Sequence, residues 1–452
     1  MSLQPTAAAF DEISPWVETP RDLQPPLAQE LRCDVVVIGA GYTGLSAALS
    51  LREQGADVVV LERDFAGAGA SGRNAGHLTP TIGKDIPTLL RLYGRERASA
   101  LVRFADEAVG HAESLIAKYA IDCDYDACGN VLAAVLPAHE ARLRRAADAA
   151  AAIGAQVRFL DGAAMRARGL PASFACGVLE ERGGTLHPGR YAMGLRRAAI
   201  AAGVRLFEGS GVVAFTTGAK PGARTAQGSV QADAAVVATN AYTPMLGWMP
   251  RRVAPLRVSL FESAPLSPAQ LEAVGWPGRE GIYTSHEMLE SYHLTRARTV
   301  VGGAKHVRHA WGRRLPPAHD PAAFERIERA FRERFPELEG VGMRRFWGGW
   351  IALTLDFLPA LDVAGSAGNV VAGLGYCGHG VAQASAMGAM LAERVQGRCH
   401  EWERALTRRR LQWPPEPLRW VGGSALRAAL FAIDWNTDRR IRAAQRRGAA
   451  RR

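Results

Sequence analysis

The sequence predicts a mixed α/β (α+β) protein, with a βαβ core in one domain and an antiparallel sheet in a second. Three observations carry that prediction. Val35-Val36-Val37-Ile38 is a β-branched run that reads as a strand buried on both faces. Gly39-Ala40-Gly41-Tyr42-Thr43-Gly44 follows it and opens an Ala/Leu/Ser-rich helix that stops at Gly55. Residues 250–344 then change character, to short strand-like segments richer in aromatics and histidines.

Each glycine of the first turn has a separate task. Gly39 makes the tight turn, Gly41 lets backbone N–H groups approach a pyrophosphate, and Gly44 lets helix and strand pack closely. The diphosphate would sit on the helix N-terminus, where unpaired N–H groups and the helix dipole favour an anion. A second strand, Asp57 to Leu61, delivers Glu62, placed to accept hydrogen bonds from a ribose diol. A carboxylate there disfavours a 2′-phosphate. Strand, glycines, helix, second strand and acid stand in register, so a dinucleotide is expected in a Rossmann-like domain.

Length and composition set the frame. A chain of 452 residues exceeds one simple core, and 48% hydrophobic with 22% charged residues describes a water-soluble globular protein. Met1 to Phe10 shows neither a basic n-region nor an apolar h-region, so no signal peptide is expected. The six cysteines lack metal-ligand spacing, which points to no metal site and to a reducing cytoplasm. The net charge is +11, but residues 401–452 hold 13 Arg against 5 Asp/Glu, so the basicity belongs to a tail. That distribution argues against a nucleic-acid groove.

Residues 1–30 are proline-rich and read as an irregular arm, with Trp16 as its anchor. After Glu62 comes Arg63-Asp64-Phe65-Ala66-Gly67-Ala68-Gly69-Ala70-Ser71-Gly72-Arg73-Asn74-Ala75-Gly76-His77. A loop so rich in glycine and so poor in large side chains suits close approach to a flat cofactor. Residues 86–119 and 138–153 read as helices, and Asp233 to Asn240 as a buried strand ending in small polar residues. His187 reads as a turn residue before another helix.

GAGYTGLSAALSL, VVVLE and GASGRNAGHL resemble the FAD-dependent D-amino-acid oxidase/glycine oxidase (DAO) family, in the branch of γ-glutamylputrescine oxidoreductases. SPWVETP, Ala238-Thr239-Asn240-Ala241-Tyr242, the pattern Trp347-Gly348-Gly349…Asp356-Phe357-Leu358-Pro359 and Gly375-Tyr376-Cys377-Gly378-His379-Gly380 are similar as well. The likeness spans roughly residues 15 to 400 and specifies cofactor and fold more strongly than substrate. It implies an FAD-binding domain from residues 31–85, 155–249 and 345–400, and a substrate domain from 86–154 and 250–344. It places Ser71, Arg73 and Asn74 along the FAD pyrophosphate and ribityl chain, and Gly76 and His77 near the flavin ring. Tyr42, Thr43, Arg63, Val213, Thr239, Asn240, Gly349, Gly375, Gly378, His379 and Gly380 complete the expected cofactor surroundings. Relatives that link flavin covalently use a loop histidine whose position falls nearer Asn74 than His77, so the resemblance implies non-covalent FAD.

The resemblance implies oxidation of the C–N bond of an amine or amino acid, with flavin reoxidised by oxygen. The imine formed then hydrolyses to a carbonyl plus ammonia or an amine. No residue need act as an obligate base, because the substrate can bind already deprotonated. The expected pocket residues are His77, Tyr292, His293, Trp347, Trp350 and Tyr376. Arg251, Arg252, Arg257, Arg296 and Arg298 suggest a substrate with an anionic group in preference to a bare polyamine. Two alternatives stand beside this reading: an amine dehydrogenase that passes electrons to a quinone or carrier, and a non-catalytic flavin-binding subunit.

In the tail, residues 401–452, Leu418, Val421, Ala425, Leu426, Ala429, Leu430 and Ile433 recur at helical spacing among arginines. Such a helix can dock its apolar stripe on the enzyme or lie in an anionic membrane surface. The Gly422-Gly423 pair and the alanines favour docking, whereas Trp413, Trp420 and Trp435 favour the interface.

Overall fold

A computed structural model describes residues 9–309, 311–312 and 314–449. The start of the expected arm and the last three residues of the tail lie outside this range.

The nucleotide half is built on parallel strands in the order Val370–Leu374, Ser229–Val237, Glu30–Ile38, Val58–Leu61 and Arg205–Phe207. Val35 lies opposite Val58 on one side and Ala234 on the other. Valine and isoleucine on both faces of these strands explain why both faces are covered. One face receives the helices Tyr42–Glu53, Pro188–Ala201 and Gly380–Val395, through Leu45, Leu49, Tyr191, Leu195, Met387 and Leu391. The other packs Val36, Ile38, Val59 and Leu61 against Val253, Ala352 and Ala360.

The second sheet has nine strands, in the order Ala9–Asp11, Met343–Leu353, Ala254–Ser263, Val300–His309, Glu290–Leu294, Gly281–Thr284, Asn130–Ala133, Gly177–Glu180 and Val157–Leu160. Most of its pairings are antiparallel, but Ala9–Asp11 and Gly281–Thr284 each pair with a parallel neighbour. The helix Pro321–Arg334 seals one face with Phe324, Ile327 and Phe331.

Sheet membership departs from the expected boundaries in two places. Strands within 157–180 and the strand Met343–Leu353 belong to this second sheet, although both were assigned to the cofactor domain. Val157–Leu160 and Gly177–Glu180 pair with each other and join the sheet through Asn130–Ala133, while Met343–Leu353 pairs with Ala254–Ser263 and Ala9–Asp11, so no signal within either segment marks the change of sheet. The helix Ile86–Lys118 is also interrupted at Gly94, where φ is 74° and ψ 171°.

The tail forms one long helix, Leu418–Ala449. Among the described residues, no helix is long and apolar enough to cross a membrane. This helix docks, but through its polar face. Asp434 accepts the Glu287 and Met288 N–H groups at 2.9 and 2.8 Å, and Asp438 pairs with Arg334 at 2.8 Å. Of the apolar stripe expected to dock, Leu418, Val421, Ala425, Leu426, Ala429 and Ile433 are exposed and only Leu430 is partly buried.

Candidate active site

Between the two sheets runs a cavity of about 1520 Å³. Its nucleotide wall is mostly backbone. Gly39 has φ +101°, and a Cβ there would stand 2.9 Å from the Ala238 carbonyl oxygen. A Cβ on Gly44 would stand 1.8 Å from the Gly39 oxygen, so helix and strand can meet only at glycine. Gly39, Gly41, Tyr42 and Thr43 line the cavity, whereas Gly44 packs behind them.

Glu62 does more than face a ribose. Its two carboxylate oxygens accept the Ala40 N–H at 2.8 Å and the Asp64 N–H at 3.1 Å, which ties the glycine turn to the second strand. Burial raises its pKa against the pull of these donors. Ser71 Oγ accepts the Tyr42 N–H at 3.0 Å, at the first turn of the glycine-led helix. A Cβ on Gly41 would stand 2.9 Å from that oxygen.

The following loop is braced by its own side chains. Asn74 donates to the Ala70 and Ser71 carbonyls and accepts the Gly76 N–H. Arg73 is buried and donates to the carbonyls of Ala68, Glu12 and Gly348, pinning the loop to the arm and the second sheet. Its guanidinium lies 5.0 Å from the Trp350 ring, and that of Arg63 4.8 Å from the Tyr242 ring. Thr239, Asn240, Gly349, Trp350, Tyr376, Gly378, His379 and Gly380 line the same cavity. Gly375 lies just behind, donating its N–H to Asn240 Oδ1 at 2.9 Å. Thr43 Oγ1 and the Tyr376 hydroxyl meet at 2.6 Å, so that tyrosine is tied to the glycine-led helix. The first turn of the helix Gly380–Val395 also borders the cavity and adds a second helix N-terminus.

The residues fit an adenine–flavin dinucleotide. Two helix N-termini, a glycine cradle that any Cβ would fill and an acid at the second strand match its phosphates and ribose. Three cavity-lining polar atoms, His77 Nε2, Tyr242 Oη and His379 Nδ1, are buried without a hydrogen-bond partner. A bound molecule would satisfy them. Burial lowers the His379 pKa to about 4, so its imidazole is neutral.

Several expected site residues lie elsewhere. Tyr292 is 1% exposed and points into the opposite core, its hydroxyl on Glu290 at 3.0 Å and its ring on Phe335. Tyr292 and His293 are neighbours on one strand, so they cannot face the same side. His293 faces the loop, at 3.1 Å from the Ala75 carbonyl, and borders a smaller polar recess beside Trp16. Burial lowers its pKa to about 3. Trp347 is fully buried, with its indole N–H on the Arg73 carbonyl at 3.0 Å. Gly76 packs under Leu186 rather than lining the cavity. Val213 is 61% exposed, and its neighbour Val212 lines the cavity in its place. His187 caps the helix Pro188–Ala201, as a turn residue should.

The arginines that suggested an anionic substrate are engaged away from the cavity. Arg252 pairs with Asp362 at 2.6 Å, Arg257 with Asp320, and Arg296 with Asp126 at 2.7 Å. Arg251 donates to the Trp413 carbonyl, and Arg298 sits on an exposed turn.

Of the side-chain cluster around His77, sequence reasoning named only His77 itself. His77 Nδ1 meets Asn130 Oδ1 at 3.1 Å, and Asn130 Nδ2 donates to the Leu78 carbonyl at 3.0 Å. That orientation puts the imidazole proton on Nδ1 and leaves Nε2 an acceptor. Tyr283 donates to Asn130 at 3.4 Å, and its ring lies 4.7 Å from that of His77. Beside them Thr79 donates to Glu180 Oε2 at 2.7 Å. Burial pushes the Glu180 carboxyl up to about 7 and lowers His77 to about 4. His77, Thr79, Glu180 and Tyr283 all line the cavity. Glu180 lay in a segment assigned to the cofactor domain, and Tyr283 on a strand of the expected substrate domain, but nothing in the sequence singled out either residue.

The comparisons agree with this geometry. Residues 34–394 match the family described as DAO, FAD dependent oxidoreductase. The chain is 32% identical over 378 residues to the γ-glutamylputrescine oxidoreductase of Escherichia coli (strain K12), covering 82% of this chain and 85% of that one. It is 28% identical over 436 residues to a probable oxidoreductase, OrdL, of Rhizobium meliloti, covering 92% and 94%. Among solved structures, glycine oxidase from Geobacillus kaustophilus superposes with a TM-score of 0.71 at 19% identity, covering 84% of this chain and 99% of that one. L-proline dehydrogenase from P.horikoshii gives 0.68 at 19% identity, covering 84% and 96%. The chain belongs to the FAD dependent oxidoreductase family.

Proposed function

We propose that this enzyme oxidises the C–N bond of a primary or secondary amine, or an amino acid, and that Glu180 receives the substrate's ammonium group. The observation that carries the reading is a half-buried carboxylate of raised pKa, beside a neutral histidine and a tyrosine, in the cavity the glycine loop borders. A carboxylate in a poorly solvated site attracts a cation, and a pKa near the working pH suits it to take a proton.

Bound FAD supplies a two-electron acceptor for the hydride equivalent on the carbon next to nitrogen. The chain's residues do the rest. Glu180 accepts one ammonium proton, giving the neutral amine, and Thr79 holds the carboxylate in place. Neutral His77 offers Nε2 as an acceptor for the remaining N–H, and Tyr283 and Trp350 wall the carbon chain. Loss of the hydride equivalent leaves an iminium, which water hydrolyses to a carbonyl and ammonia or an amine. Gly39, Gly41, Glu62, Ser71 and Asn240 would hold the cofactor, non-covalently.

The cavity exceeds the roughly 300–1,000 Å³ of a pocket for one drug-sized ligand, leaving room for an elongated substrate beside the cofactor. Arg145 and Arg427 line it and have no carboxylate partner among the described residues. They are the cations we assign to an anionic end of the substrate, a role that γ-glutamylputrescine-like amines would use. The six cysteines are free, which fits a reducing cytoplasm. Oxygen is the proposed acceptor. A membrane quinone is the second reading, favoured by the outward apolar face of the tail helix. Anaerobic mixing with a panel of primary, N-methyl and anionic amines tests the function. Loss of flavin absorbance with amines supports it, and no bleaching by any of them rejects it.

A further inference from the structure

The tail helix Leu418–Ala449 inverts the usual burial pattern, holding polar side chains inward and leaving bulky apolar ones exposed. Among the described residues its buried positions are Arg419, Asp434, Thr437, Asp438 and Ile441, four of them polar. Asp438 accepts from Arg334 at 2.8 Å and lies 3.2 Å from His286, inside a cluster that also holds Glu290. Its bulky apolar side chains face water instead. Leu418, Trp420, Val421, Leu426, Ile433 and Trp435 are each 43–62% exposed. Trp311, 54% exposed and 6.4 Å from the Trp420 ring, carries the patch onto the neighbouring loop.

Charge follows the same inversion. Residues 418–433 contain no acid, and the two acids further along the helix, Asp434 and Asp438, both point inward. Arg439, Arg440 and Arg446 are exposed on the same helix, and residues 401–452 hold 13 Arg against 5 Asp/Glu. Polar groups are thus spent on holding the helix to the enzyme, and apolar side chains, two tryptophans among them, are left outside next to exposed arginines.

We infer that this face docks on an anionic lipid bilayer, with the helix lying in the plane of the interface. Tryptophan at the flanks and arginine around an apolar stripe are the composition that a headgroup–acyl boundary accepts. A second copy of the chain would bury the same stripe, but only by bringing two net-positive tails together. A bilayer of anionic headgroups supplies the opposite charge. Leu426, Arg427 and Leu430 of this helix also line the main cavity, so docking would hold one edge of it against the lipid.

The test uses the full-length, FAD-loaded protein with vesicles of phosphatidylcholine alone or mixed with phosphatidylglycerol. Pelleting with the mixed vesicles is expected, reduced by salt and absent with phosphatidylcholine alone. Val421→Glu with Ala428→Glu places two charges on exposed outward positions. This variant should keep its flavin and its amine-driven bleaching but bind the mixed vesicles at least about tenfold more weakly. Quenching of Trp fluorescence in the unmodified protein by lipids brominated along their chains reads the same contact without any substitution. No pelleting with either vesicle, equal pelleting of the variant, absence of quenching, or a concentration-dependent dimer that the variant abolishes would each overturn the inference.

Discussion

The cavity has two walls made on different principles. The nucleotide wall is backbone: its shape comes from glycines spaced within six residues of one another and from N–H groups at a helix start. The opposite wall is side chain: Asn130, Glu180 and Tyr283 come from strands that become neighbours only when the second sheet forms, and His77 joins them from a short strand paired with Gly184–Thr185. A wall of backbone tolerates no added atoms, whereas a wall of side chains tolerates substitution but loses its chemistry. Substitutions on the two sides should therefore fail in different ways.

The largest effect is expected at Gly44. Its Cβ would stand 1.8 Å from a backbone oxygen that cannot yield. Gly44→Val should cost more than about 3 kcal/mol, seen as insoluble or colourless protein. A yellow, normally melting variant would show that the helix can shift.

Glu180→Gln should instead leave a folded, yellow protein whose kcat/KM for amines falls roughly 100-fold. Its stability should move the other way. The folded pKa of about 7 is above the unfolded carboxylate value, so the neutral acid is the form the fold favours. That contribution is complete below the unfolded pKa and is lost as pH rises through about 7. Well above it, Gln should stabilise the protein by about 2 kcal/mol after allowing for water in the cavity. In acid the two proteins should melt alike. Equal melting at all pH values would mean that the carboxylate is well solvated.

The contrast between the walls also explains what the sequence reveals. The glycine turn, Glu62 and the loop through Asn74 are contiguous, and their chemistry depends on spacing, so each was legible by residue number. Glu180 and Tyr283 depend on which distant strands become neighbours. Tyr292 illustrates the opposite failure: an aromatic beside a histidine looks like a pocket, but strand alternation turns one of the two away. The tail helix shows that a periodic apolar stripe establishes a helix face without saying which way it points. Asp434 and Asp438 settled that, through partners more than 100 residues away.

Glu62→Ala should weaken FAD by about 1.5–3 kcal/mol, measured by equilibrium release of flavin. Because Glu62 also holds the Ala40 and Asp64 N–H groups, melting of the apoprotein should fall as well. Unchanged apoprotein stability would confine its role to the ribose. The smallest effect is expected at Tyr292, placed in the core by its contacts with Glu290 and Phe335. Tyr292→Phe should cost about 1 kcal/mol of stability and leave steady-state kinetics unchanged. A change in KM with normal stability would return Tyr292 to the substrate's surroundings.

The most direct test of the account is the rate of anaerobic flavin reduction by one amine across pH, in the unmodified enzyme and in Glu180→Gln. If Glu180 receives the ammonium proton, the unmodified enzyme speeds up as pH rises through about 7, and the variant lacks that limb. Identical pH profiles in the two proteins would contradict it.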